Sequence, residues 1–300
     1  MEPTGKTQRT AYLFLSVGAL CASFAPIFIR LCLYPAPAVA SLRMLLAGLL
    51  LLPFCLGDLG RLWRQQGLRG FLPLLVPGLL LSAHFQSWVL GLRHTSVGNA
   101  TFIFSLNLVL FALVERFGSR RRLPAYALAS LGLALGGALW LFLAGGGRLG
   151  RTGDLLALVS TVLYVAYLLA SRRFAGRVPH LAFAQTIYFW GGLAGLAAAA
   201  LTRSLASVDL ADTGSLAALA GLVLLPTLVG HTSMNYGVRH LPPVTVSFFS
   251  LAEPVIATSA AALLLGEPLR PRELPAYALF LAATLLYLLL AARGRGSGPV

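Results

Sequence analysis

The sequence predicts an all-α integral membrane protein with ten transmembrane helices, arranged as two inverted five-helix repeats. The first observation is composition: 58% of the 300 residues are hydrophobic and 11% are charged, whereas soluble domains have about 45–50% and about 25%. The second is that apolar segments of roughly 20 residues, the length that crosses a bilayer core, follow one another along the chain. The third is that the hexapeptide Leu-Pro-Ala-Tyr-Ala-Leu occurs twice, beginning at Leu123 and at Leu274.

The apolar segments are separated only by short polar connections, which leave no room for a soluble domain. Each segment is long enough to cross a hydrocarbon core of roughly 30 Å as a helix. The ten predicted helices lie near residues 10–33, 36–56, 70–92, 95–115, 123–144, 153–174, 181–202, 215–238, 243–265 and 274–292.

The two halves of the chain share a second echo. Gly-Leu-Arg-His from Gly91 closes the third segment, and Gly-Val-Arg-His from Gly237 closes the eighth. Such internal similarity indicates duplication. We therefore divide the chain into a first repeat, 1–145, and a second repeat, 153–293, with Gly145-Gly146-Gly147 in the linker. Because five helices per repeat is an odd number, the second repeat enters the membrane with the opposite orientation.

The repeats differ in length in one place. The chain runs 29 residues from Arg93 to Arg122 but 34 from Arg239 to Glu273. This difference predicts either a short fourth helix or a shifted boundary.

The basic residues behind the net charge of +14 are distributed unequally between the two predicted sides of the membrane. The 23 Lys and Arg residues divide, with the N-terminus inside, into fifteen on inside segments, six on outside connections and two, Arg30 and Arg43, within apolar segments. The positive-inside rule then predicts a multi-pass protein of the cell (inner) membrane with both termini in the cytoplasm. We expect the lipid bilayer around the chain and no nucleic-acid partner.

Glu253 is the acidic residue that lies deepest in an apolar segment. Ten residues past Pro243, at 1.5 Å rise per residue, it lies roughly 15 Å into the ninth helix, near mid-membrane. A carboxylate there normally faces a cavity or a partner. Pro254 removes a backbone donor and predicts a kink at this point. Glu253 is therefore either a site for a coupling proton or a substrate ammonium, or a structural residue hydrogen-bonded to the kinked backbone.

Arg43 is the second charge inside a span, seven residues into the second helix. It would bind a substrate carboxylate, pair with Glu253, or snorkel to the interface roughly 10 Å away. Arg30 is nearer a helix end and is expected to snorkel.

Matching the repeats adds two neutral polar residues. Aligning Pro37 with Pro179 places Gln185 opposite Arg43. Aligning the two Gly-x-Arg-His echoes places Asn107 opposite Glu253, as a cavity hydrogen-bond donor or as a contact between helices.

His84 and His231 occupy nearly equivalent positions in the third and eighth helices. They form either a proton relay or two satisfied structural imidazoles. The remaining candidates are polar and aromatic side chains that line a cavity or, near helix ends, belong to an interfacial belt: Trp88, Tyr164, Tyr167, Asn235, Tyr236 and Ser250.

Four short patterns carry a resemblance to a known family. They are Ser-Leu-Arg-Met-Leu-Leu-Ala from Ser41, Gly-Asp-Leu-Leu-Ala-Leu from Gly153, Ala-Glu-Pro-Val from Ala252 and Leu-Leu-Gly-Glu from Leu264. In this order on ten predicted helices, the chain resembles the EamA-like branch of the drug/metabolite transporter superfamily over essentially its whole length. The resemblance implies export or exchange of small metabolites, often amino acids, through a central cavity.

Inverted repeats typically bind substrate near mid-membrane and move one half against the other. The sequence therefore favours a secondary active transporter for a small molecule, driven by protons or by exchange. A lipid flippase and a membrane-embedded lipid-modifying enzyme are the alternatives. The sequence has no nucleotide-binding loop and no metal-ligand spacing, so we expect no enzyme activity, catalytic residue, cofactor or metal. A homodimer is left open.

Overall fold

The computed structural model describes residues 5–118, 123–144 and 152–293, and within them the chain forms helices and no strand. Ten helices in these ranges are long and apolar enough to cross a membrane, which confirms the predicted all-α fold. The linker glycines Gly145-Gly146-Gly147 and residues 1–4 and 294–300 lie outside the described residues. We label the helices α1 Thr7–Leu31, α2 Ala36–Gln66, α3 Leu68–His94, α4 Val97–Phe117, α5 Ala125–Ala144, α6 Thr152–Arg172, α7 His180–Leu201, α8 Thr213–His240, α9 Pro243–Leu265 and α10 Pro271–Ala291.

Helix α2 is longer than predicted, because it ends at Gln66 instead of near residue 56. Its 31 residues correspond to about 46 Å at 1.5 Å per residue, more than the hydrocarbon core requires. The added turns contain Asp58 and Arg61, which form an exposed ion pair at 3.4 Å. The helix ends at Gly67, whose φ of 55° is a backbone conformation that favours glycine.

Helix α4 is not short. It has 21 residues, against 23 in α9, so two of the five residues by which the repeats differ belong to the helices. The other three belong to the connection before the hexapeptide, of which residues 119–122 are outside the described residues. The helix is long enough to cross a membrane, and its bounds lie two residues after the predicted 95–115.

Helices α2 and α7 pack against each other antiparallel along a seam of small residues. A Cβ on Gly192 would lie 2.6 Å from the backbone nitrogen of Leu45, and one on Gly48 would lie 2.7 Å from that of Phe189. Only glycine permits such an approach. In a bilayer, where apolar side chains gain little by leaving lipid, close backbone packing of this kind holds helices together.

Helices α5 and α10, which begin with the two hexapeptide copies, are also antiparallel neighbours. Trp140 near the end of α5 donates a hydrogen bond of 2.8 Å to the carbonyl of Arg272 at the start of α10. At the other end, the rings of Tyr126 and Tyr287 are 5.8 Å apart. The hexapeptide copies therefore lie at opposite ends of the bundle, in agreement with an inverted repeat.

In each repeat, the arginine of the Gly-x-Arg-His sequence connects the end of one helix to the turn that precedes another helix. Arg93 donates to the carbonyls of Cys32 and Tyr34, which precede α2. Arg239 donates to the carbonyl of Val178, which precedes α7. The structure thus explains why the arginine occurs in both copies, since each arginine donates hydrogen bonds to carbonyls of equivalent turns.

The starts of α2 and α7 change the alignment of the repeats. Pro35 and Pro179 are the N-cap residues, with φ, ψ of −54°, 142° and −53°, 144°. Aligning these caps shifts the match by two residues from the one based on Pro37. Gln185 then corresponds to Ser41, and the predicted match of Gln185 with Arg43 is wrong.

Helices α4 and α9 are joined at both ends by a carboxylate. Glu267, which follows α9, accepts a hydrogen bond of 3.4 Å from the backbone nitrogen of Val97 at the start of α4. Glu115 in α4 accepts one of 3.1 Å from the backbone nitrogen of Val244 at the start of α9. Helix N-terminal amides attract negative charge. We call these two contacts the carboxylate caps.

Arg30 does not simply snorkel. It donates a hydrogen bond of 2.7 Å to the carbonyl of Thr95 and lies 3.5 Å from Glu267, forming an ion pair. It therefore reinforces one of the two carboxylate caps.

Helix α9 is interrupted at Leu251, three residues before Pro254. The proline is not the whole cause, because α4 is interrupted at Leu106 without any proline nearby. In α4 the side chain of Asn107 donates a 2.6 Å hydrogen bond to the carbonyl of Phe104 at the break. The break is thus a feature of both repeats.

Candidate functional site

A small cavity of about 20 Å³ lies between the two repeats. It receives side chains from α1, α3, α4, α6, α8 and α9, so neither repeat forms it alone. Its lining residues are Ala22, Ala25, His84, Trp88, Phe104, Tyr164, His231, Met234, Ser250 and Glu253. Six of the residues proposed from the sequence come together here: Glu253, His84, His231, Trp88, Tyr164 and Ser250.

Four of the helices around this central cavity are irregular where they line it, and one of them is α4, whose break at Leu106 lies two residues after Phe104. Helix α1 is interrupted between Ala22 and Ala25, and α9 at Leu251. Helix α8 has a π-helical segment, Val223–His231, that includes Pro226. Irregular backbone at membrane depth is tolerated where it lines a cavity, and π-helical turns are frequent at functional sites.

Glu253 is buried, with 7% of its surface exposed, and lies at the start of the second part of α9. It makes no hydrogen bond or ion pair with any residue in the described ranges, and its carboxyl borders the cavity beside Tyr164. The structural alternative, a carboxyl bonded to the kinked backbone, therefore does not hold. A buried carboxyl that faces a cavity without a protein partner is available to a proton or to a substrate.

His84 of the first repeat and His231 of the second lie next to each other, with ring centroids 5.7 Å apart and the rings tilted by 55°. The Nδ1 of His84 donates to the carbonyl of Ser160 at 2.8 Å, which fixes that ring. The Nδ1 of His231 has no partner among the described residues. Tyr164 contacts both imidazoles, at 5.3 and 6.0 Å. One histidine is thus held as a structural residue would be, and the other keeps a free nitrogen.

Arg43 is fully buried, which excludes snorkelling. Its Nε donates to the hydroxyl of Thr227 at 3.0 Å, and its guanidinium carbon lies 3.8 Å from the ring centroid of Phe85. The ring of Phe85 packs edge-on against His231 at 4.6 Å. Arg43 is therefore separated from the cavity by these two rings.

The two terminal nitrogens of Arg43 are unsatisfied. Neither Nη1 nor Nη2 has a hydrogen-bond partner within the described part of the chain, and no ion pair joins Arg43 to Glu253 there. An unpaired buried guanidinium is costly. Two parallel N–H donors of this kind match a carboxylate.

Five predicted residues besides Arg43 are elsewhere. Asn107 is bonded at the break of α4, and Asn235 donates to the hydroxyl of Tyr167 at 3.1 Å. Gln185 borders a separate shallow pocket of about 250 Å³ together with Trp190. Tyr236 packs on His240. None of the five lines the central cavity.

Several residues around the cavity were missed. Thr227 holds Arg43, and its carbonyl accepts a hydrogen bond of 3.1 Å from Tyr188. A proline inside an apolar segment, Pro226, is the sequence feature that could have pointed to this part of α8. Ala22, Ala25, Phe104 and Met234 carry no such feature.

The described residues contain no group of three or more His, Cys, Asp or Glu side chains that could hold a metal ion. The ionisable groups at the centre are a carboxyl, two imidazoles and a guanidinium. Such a set can bind charged groups of a substrate and can take up or release protons.

Two inverted five-helix repeats with a cavity between them, lined by ionisable side chains from both, are the architecture of an integral membrane transporter. The model of the EamA-like transporter family matches residues 9–143 and again residues 151–289. The chain belongs to this family, within the drug/metabolite transporter superfamily. The family match also confirms the resemblance found in the sequence.

A solved structure, described only as a crystal structure of a protein, has the same fold. It aligns with a TM-score of 0.77 at 21% identity, covering 95% of this chain and 99% of that chain. At this identity the likeness concerns the fold alone. No curated protein matches the chain.

Proposed function

We propose that this transporter is a secondary active exporter or exchanger of small zwitterionic metabolites, such as amino acids, that works by alternating access and is coupled to protons. The observation that carries the proposal is the central cavity, where Glu253 and the two histidines from different repeats meet. Ionisable residues inside a membrane are rare and mark substrate or proton pathways.

Alternating access is supported by the size of the cavity. Its volume of about 20 Å³ holds roughly one water molecule, so a metabolite enters only when the repeats move apart. The carboxylate caps close both ends of the α4–α9 pair. Each cap includes a hydrogen bond between the repeats, and the Glu267 cap also includes the ion pair with Arg30, so both consist of contacts that can break and reform.

The substrate class follows from two unpaired groups. Glu253 has a carboxyl for an ammonium group or a proton, and Arg43 has two free N–H donors for a carboxylate. For a substrate to reach Arg43, Phe85 and His231 must move aside. A zwitterion fits both groups, because its carboxylate can pair with Arg43 while its ammonium group donates to a side-chain oxygen at position 253, an acceptor that Glu253→Gln would keep.

We further propose that the protein lies in the cell (inner) membrane with both termini in the cytoplasm, based on the distribution of Lys and Arg. A phosphatase or fluorescent reporter fused after Val300 is expected to report a cytoplasmic location. A matched fusion in the connection between α7 and α8, after Val208, is expected to report the other side. The reverse pattern from the two fusions would contradict the orientation.

Counterflow in proteoliposomes tests the proposed function. Vesicles preloaded with one unlabelled amino acid at millimolar concentration are diluted into trace labelled substrate, across a panel of amino acids, organic acids and amines. We expect transient accumulation with at least one zwitterion and none with the corresponding acid or amine.

The panel includes a fluorescent phospholipid as a test of the flippase alternative. Scrambling of the phospholipid without counterflow of any soluble compound would contradict the proposal. Empty liposomes and liposomes with heat-denatured protein are the controls for leakage.

A further inference from the structure

A second, larger pocket opens at the end of the bundle where α2 ends, α3 begins and α6 meets α7. Its volume is about 590 Å³, far larger than that of the central cavity. Its lining residues are Gln66, Arg69, Gly70, Pro73, Val76, Pro77, Ala170, Arg173, Phe174, Arg177 and Val178. We call it the arginine pocket.

The pocket exists because α3 starts irregularly. A short helix, Leu68–Phe71, is followed by a 3₁₀ turn, Leu72–Leu74, before the regular helix begins. Pro73 lies in this stretch and Pro77 in the first turn of the regular helix, and neither can donate a backbone hydrogen bond. The start of α3 is thereby set apart from the end of α6, and the gap between them is open at the protein surface.

Three arginines from both repeats surround the opening. Arg69 comes from the start of α3, and Arg173 and Arg177 come from the α6–α7 turn. None of the three forms an ion pair with a carboxylate in the described ranges. A fourth arginine, Arg239, donates to the carbonyls of Phe174 and Val178 in the pocket wall. The pocket therefore collects positive charge and offers several unpaired N–H donors, which suits a phosphate group.

The rest of the wall is apolar and continues toward the bilayer. Val76, Ala170 and Phe174 line the pocket, and Val76 is about half exposed on the outer surface, as are the neighbouring Leu72 and Leu79 of α3. A free inorganic anion would not use these apolar surfaces. A molecule with a phosphate head and hydrocarbon chains would contact both parts.

We propose that the arginine pocket binds one anionic phospholipid, with its phosphate between Arg69, Arg173 and Arg177 and an acyl chain along the apolar wall of α3. Basic pockets between transmembrane helices are suited to such head groups. The bound lipid would connect the first repeat to the α6–α7 turn of the second. Lipid binding at this pocket does not depend on which substrate the protein transports.

The test is lipid binding by the purified full chain in a neutral detergent, measured by native mass spectrometry with phosphatidylglycerol and, separately, phosphatidylcholine. We expect one phosphatidylglycerol to bind at least about tenfold more tightly than phosphatidylcholine. The triple variant Arg69→Gln, Arg173→Gln, Arg177→Gln is expected to lose this preference. The matched variant Arg61→Gln, Arg64→Gln, Arg172→Gln removes three charges at the same end, outside the pocket, and is expected to keep it.

Equal loss in both triple variants, or unchanged binding in the pocket variant, would overturn the proposal. Millimolar inorganic phosphate is added as a competitor, and full displacement of the lipid by phosphate would show a site for a free anion instead. Each single variant, such as Arg177→Gln, is measured as well, with its thermal unfolding midpoint, so that a folding defect of the triple variant is recognised. Single variants that fold normally and bind phosphatidylglycerol as tightly as the parent would also contradict the proposal.

Discussion

Glu253→Gln is expected to abolish transport driven by a pH gradient while counterflow exchange continues. The glutamine has nearly the same shape as a protonated glutamate but cannot release a proton. If one proton is exchanged per substrate, a gradient of one pH unit supplies about 1.4 kcal/mol, or roughly tenfold accumulation. The variant should lose this accumulation completely. The measurement is uptake of labelled substrate into inside-out vesicles with an acidified lumen, compared with counterflow in the same vesicles.

Asp58→Asn is the matched control for Glu253→Gln, because Asp58 is a carboxylate in an ion pair at the exposed end of α2. It is expected to keep both activities. Undiminished gradient-driven uptake by Glu253→Gln would contradict proton coupling at this residue. Loss of counterflow together with gradient-driven uptake, in a variant that folds normally, would show that substrate binding needs the negative charge of Glu253 and would contradict a role limited to proton coupling.

Arg43→Met is expected to weaken substrate binding strongly without loss of stability. Arg43 is fully buried with two unsatisfied nitrogens, and replacing a buried charge by an apolar side chain of similar length is often neutral or stabilising. Loss of one or two charge-assisted hydrogen bonds to a substrate carboxylate would raise the half-saturating concentration about 10- to 100-fold. Counterflow kinetics and the thermal unfolding midpoint are measured on the same preparations.

Arg43→Lys tests whether the positive charge alone is enough for transport or whether the shape of the guanidinium group is also needed. Lysine keeps the charge but lacks the planar pair of donors and the stacking on Phe85, so we expect partial recovery at most. Arg61→Met, at an exposed arginine of the same helix, is expected to behave as the parent protein. A large fall in the unfolding midpoint of Arg43→Met, or normal transport by this variant, would contradict a role in binding.

Much of the fold follows from the sequence, because hydrophobic length and repeat parity constrain it strongly. Ten apolar segments and an odd number per repeat are enough to predict the antiparallel arrangement that Trp140 and Arg272 display. The end of α2 at Gln66 was not predictable in the same way. Hydropathy shows where the apolar part of a helix ends. In α2 the helix itself continues beyond that point, through the more polar residues that follow Cys55.

The residues of the candidate site that could be predicted are those with ionisable side chains, because burying such a side chain in a membrane costs free energy. Glu253, His84 and His231 were proposed for that reason, and all three line the central cavity. Gln185 was misplaced because two prolines, Pro35 and Pro37, lie in the same first turn, and only the backbone shows which of them caps the helix. Apolar wall residues such as Ala25 have no chemical feature to distinguish them from the many other alanines of the chain.

The two carboxylate caps affect both the ratio of the two end conformations of a transport cycle and the rate at which they exchange. The resting ratio of two conformations depends on the difference between their free energies, and the speed of exchange depends on the barrier between them. Glu115 and Glu267 hold opposite ends with the same kind of bond, so their contributions to the ratio largely cancel while both add to the barrier. Arg30 contributes at the Glu267 end. Changes to both caps together would therefore alter turnover, whereas a change to Arg30 would shift which side the empty protein faces.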